Sequence, residues 1–197
     1  MRVIAGIFIG GAATRFGGIA KGMLPAPDGS GSITLRLVNL CLAIHAEPIF
    51  VGPREDPRYS SVSQQTVIDR PGGLGPLGGM LALYDHAERM RSHRVIALAC
   101  DMPFVTRETL EKLRDCEAPI AACKRDGRWE PFISVHDPRI MRPRAEANGA
   151  AGRLSLQALF EGALELAIDP HELDDWDTPE DAGGVVATMP MRTMSKK

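Results

Sequence analysis

The chain has 197 residues, 44% of them hydrophobic and 24% charged, with 23 Lys and Arg against 25 Asp and Glu for a formal net charge of −2. That length suits one domain with a substantial core, and the composition disfavours both a disordered chain and a membrane class. The near-balanced charge excludes nucleic-acid binding by bulk electrostatics, so any anion site must be local.

Taken in chain order, "RVIAGIFI" (Arg2 to Ile9) reads as a first strand. With Arg2 before it and small residues near Ala13 it also mimics a signal peptide, but Arg15 and Lys21 follow at once and the strand reading is preferred. Its continuation, "GGAATRFGGIAK", places four glycines and two cations directly after the strand. Glycines let backbone N–H groups approach an anion closely. Arg15 and Lys21 add charge against phosphate oxygens. Neither common phosphate loop fits, because Ala20 stands where a Walker A sequence needs Gly and no G-x-G-x-x-G occurs here. A glycine-rich connection with solvated cations remains the alternative.

Further on, Ile33, Leu37, Leu40, Cys41 and Ile44 fall at the spacing of one buried helix stripe. "EPIFVG" (Glu47 to Gly52) and "TVID" (Thr66 to Asp69) follow as strands. The stretch "DRPGGLGPLGGM" then leads into a helix with its stripe at Met80, Leu83, Tyr84, Ala87 and Met90. It is either punctuation between elements or a helix N-terminus offered to a nucleotide.

"RVIALAC" (Arg94 to Cys100) is a fourth apolar run. All four run apolar without alternation, which predicts strands covered on both faces and paired in parallel. Asp101 follows the fourth. A carboxylate there suits a hard cation such as Mg²⁺, which takes few protein ligands, or else a turn before Pro103. Thr106 is the expected cap of a helix over "RETLEKLRD" (Arg107 to Asp115).

The rhythm then changes. "APIAACKRDGRWEPFISVH" predicts an antiparallel hairpin turning at Asp126-Gly127. "GRLSLQALFEG" reads as a helix, "ALELAID" as a further strand, and "DTPEDA" as the start of a short helix with Thr178, Pro179 and Asp181 at its capping positions. The expected architecture is a three-layer α/β/α fold, mostly parallel with an antiparallel portion in the C-terminal half. It would form one domain over residues 1–188, with 189–197 a loose tail. Cys41, Cys100, Cys116 and Cys123 lack metal or disulfide spacing, so a reducing, cytoplasmic setting is expected. No run approaches the ~20 apolar residues of a membrane-spanning helix.

The order "FIGGAATRFGGIAK", "DRPGGLGPLGGM", "ACDMPFV", "WEPFISV" and "DDWDTPEDA" resembles the MobA family, the molybdenum cofactor guanylyltransferases, over about Val3 to Asp181. The resemblance implies a Rossmann-like nucleotidyltransferase fold with GTP and molybdopterin as substrates and Mg²⁺ as cofactor. The nucleotide would lie against Phe8, Ile9, Gly10 and Gly11, with Gly52 near the base and Asp69 on the nucleoside. Gly75, Pro76, Leu77 and Gly78 would form the second nucleotide loop. Lys21 and Arg15 would act on the phosphates, and Asp101 would bind the metal.

Acceptor binding would fall to Arg153, Asp175 and Asp177. The last two replace an N-x-N pair common in the family, and their carboxylates would repel an acceptor phosphate unless a cation intervenes. A relative using CTP, a sugar-phosphate acceptor, or a non-catalytic nucleotide-binding module are the competing readings. Other proteins of cofactor biosynthesis are conceivable partners.

Overall fold

The computed structural model describes residues 2–9, 20–52, 55–62, 64–69 and 74–176. Gly10, Gly11, Arg15, Asp177 and the expected helix from Thr178 lie outside these, as does the tail.

Among the described residues, seven strands form one sheet in the order β3-β2-β1-β4-β6-β5-β7. They are β1 (Val3–Phe8), β2 (Ala46–Gly52), β3 (Thr66–Ile68), β4 (Arg94–Ala99), β5 (Ile120–Arg125), β6 (Arg128–His136) and β7 (Leu164–Glu165). β1 pairs in parallel with β2 and β4, and β2 with β3. β6 runs against both β4 and β5. Among the described residues, four helices cover the faces: α1 (Ile33–Ala43), α2 (Pro76–Arg89), α3 (Arg107–Asp115) and α4 (Pro138–Ala150). The fold is thus a three-layer mixed sheet, parallel in its first half. No helix among the described residues is long and apolar enough to cross a membrane.

Alternate residues of the central strands feed two cores. Val3, Ala5, Ile7, Ile96 and Leu98 meet the α1 and α3 side, while Ile4, Val95 and Ala97 meet the α2 and α4 side. Both faces being dry is why these runs are apolar without alternation. β3 departs from that expectation. It is an edge strand of three residues whose Ile68 is 48% exposed, and among the described residues nothing pairs beyond it.

The hairpin turn is as expected, with Asp126 at φ 51° and Gly127 at φ 76°. Two adjacent positive φ values match the twist of the strands they join. Thr106 caps α3 by accepting from Thr109 N at 3.2 Å.

Three sequence expectations need correction. "GRLSLQALFEG" forms only a 3₁₀ turn over Leu156–Phe160, closed at both sides by glycines at positive φ, Gly152 and Gly162. "ALELAID" contributes only the two exposed residues of β7, paired with Ala121 and Ala122. α4 has no counterpart among the expected elements. Its stripe is one residue per turn, Met141, Ala145 and Asn148, and Pro143 inside it hides the pattern. The signal is Asp137-Pro138, a capping residue followed by Pro at the first helical position. The Asp137 side chain accepts from Arg139 N at 3.0 Å. Arg142 then ties α4 to α2, 3.2 Å from Asp85 and paired with Glu88.

β6 carries a bulge. Partners run from Ala122–Ser134 to Lys124–Trp129, so Glu130 to Ile133 loop out of register. Ile133 sits at φ 67°, an outlier for a β-branched residue. The bulge is held from within. Ser134 Oγ donates to Pro131 O at 2.6 Å, so its contact with His136 Nε2 at 2.8 Å uses the ring N–H as donor. Nδ1 then accepts from the Tyr84 hydroxyl at 2.9 Å. Every polar atom of this fully buried chain is paired, and burial holds the His136 pKa down to about 3, keeping the ring neutral.

Candidate active site

In a parallel sheet, right-handed crossovers leave a crevice beyond the carboxyl ends of the strands. Here β1, β2, β3 and β4 bring Phe8, Gly52, Ile68 and Ala99 to that edge. The exits are locked to one another: Ile9 N donates to Val51 O at 2.9 Å, Asp69 N to Gly52 O at 2.8 Å, and Cys100 N to Phe8 O at 3.1 Å. Phe8, Ile9, Gly52, Asp69 and Asp101, far apart in sequence, therefore share one rim.

Lys21 returns to this rim in the short 3₁₀ turn Lys21–Met23. Its Nζ lies 3.2 Å from Asp101 Oδ2, both side chains largely shielded. The approach depends on Gly22. A Cβ there would stand 2.2 Å from Thr34 Oγ1 and 2.9 Å from Cys100 Cβ, and Thr34 Oγ1 donates to Gly22 O at 2.8 Å. Gly22 is not among the residues expected from sequence; the adjacent pair Lys-Gly is its only signal. Cys100 is buried, with its thiol pKa pushed up to about 12 by burial, so it acts as packing beneath the pair.

α2 begins on the same rim. Its N-cap Gly75 takes φ 55° and ψ −142°, a backbone state that a side chain disfavours. Pro76 follows at the first helical position and Leu77 and Gly78 are buried. Gly79 lets the helix close on the rim, since a Cβ there would come 2.8 Å from Phe8 Cε1 and 3.1 Å from Asp69 Oδ1. That Asp69 oxygen is buried without a hydrogen-bond partner among the described residues, and burial raises the carboxyl pKa. A buried acceptor left unpaired beside a helix N-terminus is what a ligand donor would satisfy.

The expected acceptor residues divide. Trp176 N donates to Asp101 O at 3.2 Å, so Asp175 stands beside the metal candidate. The segment is anchored by Glu172, whose carboxylate accepts from Thr106 N at 2.8 Å, Thr106 Oγ1 at 3.0 Å and Thr109 Oγ1 at 2.9 Å. Arg153 belongs to a different segment. It follows α4, exposed, its N–H bonded to Asn148 O at 2.9 Å, where the helix end at Gly149 approaches Leu74 and Leu77 of the α2 start. The β6 bulge also reaches the rim, with Phe132 4.9 Å from Phe8 between ring centroids. Burial raises the Glu130 carboxyl pKa, opposed by Arg125.

The three-layer mixed sheet is the fold of solved nucleotidyltransferases. A solved cytidylyltransferase of Thermus thermophilus, that for 2-C-methyl-D-erythritol 4-phosphate, has a TM-score of 0.64 at 14% identity, covering 95% of this chain and 98% of its own. A protein of Aquifex aeolicus VF5 gives 0.71 at 16% identity, covering 89% of this chain and 93% of its own. The likeness is one of fold. In sequence, the molybdenum cofactor guanylyltransferase of Pseudomonas putida KT2440 is 31% identical over 184 residues, 88% of this chain and 92% of that protein. The protein of the same name from Rhodobacter capsulatus is 30% identical over 182 residues, 90% and 92% respectively. Residues 5–166 match the family model of the MobA-like NTP transferase domain. The chain belongs to the MobA-like NTP transferases.

Proposed function

We propose that this protein transfers GMP from GTP to the terminal phosphate of molybdopterin. A phosphate oxygen of the acceptor forms a bond to the α-phosphorus of GTP. The bond from that phosphorus to the bridging oxygen breaks, and pyrophosphate leaves with the electron pair. No protein nucleophile is needed, so catalysis is alignment and charge neutralisation. The observation that carries the reading is Lys21 Nζ at 3.2 Å from Asp101 Oδ2 on the rim where the β1–β4 exits meet; the names of the relatives supply the substrates.

Among the described residues no group of three or more His, Cys, Asp or Glu forms a metal cage. That suits Mg²⁺ brought in with a nucleotide, because this ion keeps waters and phosphate oxygens and takes only one or two protein carboxylates. Asp101 would hold it, and it would neutralise phosphate charge when bound. Lys21, which balances Asp101 in the free protein, would turn its ammonium to the triphosphate, with Arg15 adding a second cation. Asp69 would accept from the nucleoside, and the start of α2 would present the backbone N–H groups of Gly75 and Leu77, since Pro76 has none and that of Gly78 is donated to Gly75 O.

Pyrophosphate release measured with each of the four nucleoside triphosphates, molybdopterin and Mg²⁺ tests the reading. GTP should be strongly preferred. A preference for CTP, or release only with a sugar phosphate as acceptor, would overturn it.

A further inference from the structure

β5 runs in the same direction as β1 and β4, since β6 opposes both β4 and β5. Its end therefore reaches the rim that bears Asp101, two strand positions away across β6, about 10 Å at ordinary strand spacing. Arg125 is its last residue.

The Arg125 guanidinium stands between two carboxylates, its Nε 3.5 Å from Glu130 Oε1 and its Nη2 3.6 Å from Asp174 Oδ1. Both distances are attractive but too long for good hydrogen bonds, and Nη2 is buried with no hydrogen-bond partner among the described residues. Neither carboxylate is loosely tethered. Glu130 belongs to the bulge fixed by Ser134 and His136, and the other Asp174 oxygen is engaged by His171 Nδ1 at 2.9 Å. The guanidinium is thus steered electrostatically while its donors stay unspent.

We propose that Arg125 grips the terminal phosphate of the acceptor and sets it on the opposite side of Asp101 from the nucleotide. This rests on the guanylyl-transfer reading above. The residues expected at the nucleotide, Phe8, Gly52 and Asp69, belong to β1, β2 and β3, all to one side of β4. Arg125 lies on the other side of β4. A guanidinium fork matches a phosphate in two parallel hydrogen bonds, which an ammonium cannot do. It also answers a charge problem of this sequence: Glu130 and Asp174 would repel an acceptor phosphate, and Arg125 is a cation set between them.

The test is steady-state pyrophosphate release by the wild type, Arg125→Ala and Arg125→Lys. GTP is varied at saturating molybdopterin, then molybdopterin at saturating GTP. Arg125→Ala should raise the KM for molybdopterin about tenfold or more, the loss of a charged phosphate contact, with the KM for GTP unchanged. Arg125→Lys, which keeps the charge and loses the fork, should fall between and guards against a poorly folded alanine variant. An unchanged molybdopterin KM in both variants, or equal rises in both KM values, would overturn the assignment. A wild type that releases no pyrophosphate with molybdopterin overturns the guanylyl-transfer reading and this inference with it; an active wild type with indifferent variants sinks the inference alone.

Discussion

Lys21 Nζ and Asp101 Oδ2 lie 3.2 Å apart although eighty residues separate them in the chain. Their meeting brings the turn Lys21–Met23 against the residues that follow β4. Under the proposed guanylyl transfer, a triphosphate would take the lysine while a cation took the aspartate. Asp101→Asn should abolish Mg²⁺-dependent pyrophosphate release while the thermal melt moves little. Lys21→Ala should lower kcat by about 100-fold or more, the scale of losing one aimed electrostatic stabiliser. Retained turnover in Asp101→Asn would remove that residue from the metal role.

Gly22→Ala tests the packing that makes the pair possible. The new methyl would meet Thr34 Oγ1 at 2.2 Å and Cys100 Cβ at 2.9 Å. Overpacking of this kind costs about 1–3 kcal/mol, read as a lower urea midpoint, and Lys21 should shift with it. Adding Thr34→Ala should restore part of the loss, as it removes the nearer clash and leaves the one against Cys100.

His136 makes stability depend on pH. Its folded pKa of about 3 lies below the ordinary 6.5, so between those values the unfolded chain takes up a proton that the folded protein refuses. The contribution is complete above pH 6.5 and is lost progressively as pH falls towards 3. Urea unfolding at a series of pH values should show this slope, and His136→Asn should flatten it while lowering stability throughout. An unchanged slope in that variant would mean that other groups carry the acid sensitivity.

Glu172 links the C-terminal segment to α3 by three hydrogen bonds. Glu172→Ala leaves Thr106 N and two hydroxyls to find new partners and should cost about 1–3 kcal/mol. It should also lower activity, since Asp174 to Trp176 lose their anchor. Glu172→Gln, which keeps one acceptor oxygen, should retain more of both, as measured by thermal melts and pyrophosphate release.

The central strands are legible in the sequence because they are dry on both faces, and the α1 to α3 stripes because burial imposes their spacing. α4 escapes because it buries one residue per turn and secures itself through Arg142, which no hydrophobic pattern records. The β7 region reads as a longer strand than it is because an apolar edge segment looks like a strand whether or not it has neighbours. In the site, Lys21, Asp69, Asp101 and the Gly75 turn announce themselves as glycine loops and strand-end carboxylates. Gly22, Glu172 and Arg125 do not, since a close contact, a cap supplied from 66 residues away and a charge placed by a hairpin are properties of the assembled chain.

Trp176 closes the rim by donating to Asp101 O, with Leu173 and Trp176 buried in the same core as the first strand. The timing of biosynthesis follows from this. A nascent polypeptide halted on the ribosome before Trp176 could already pair its central strands, yet its rim would stay open, so competence should appear only once Trp176 has been added and has left the ribosome.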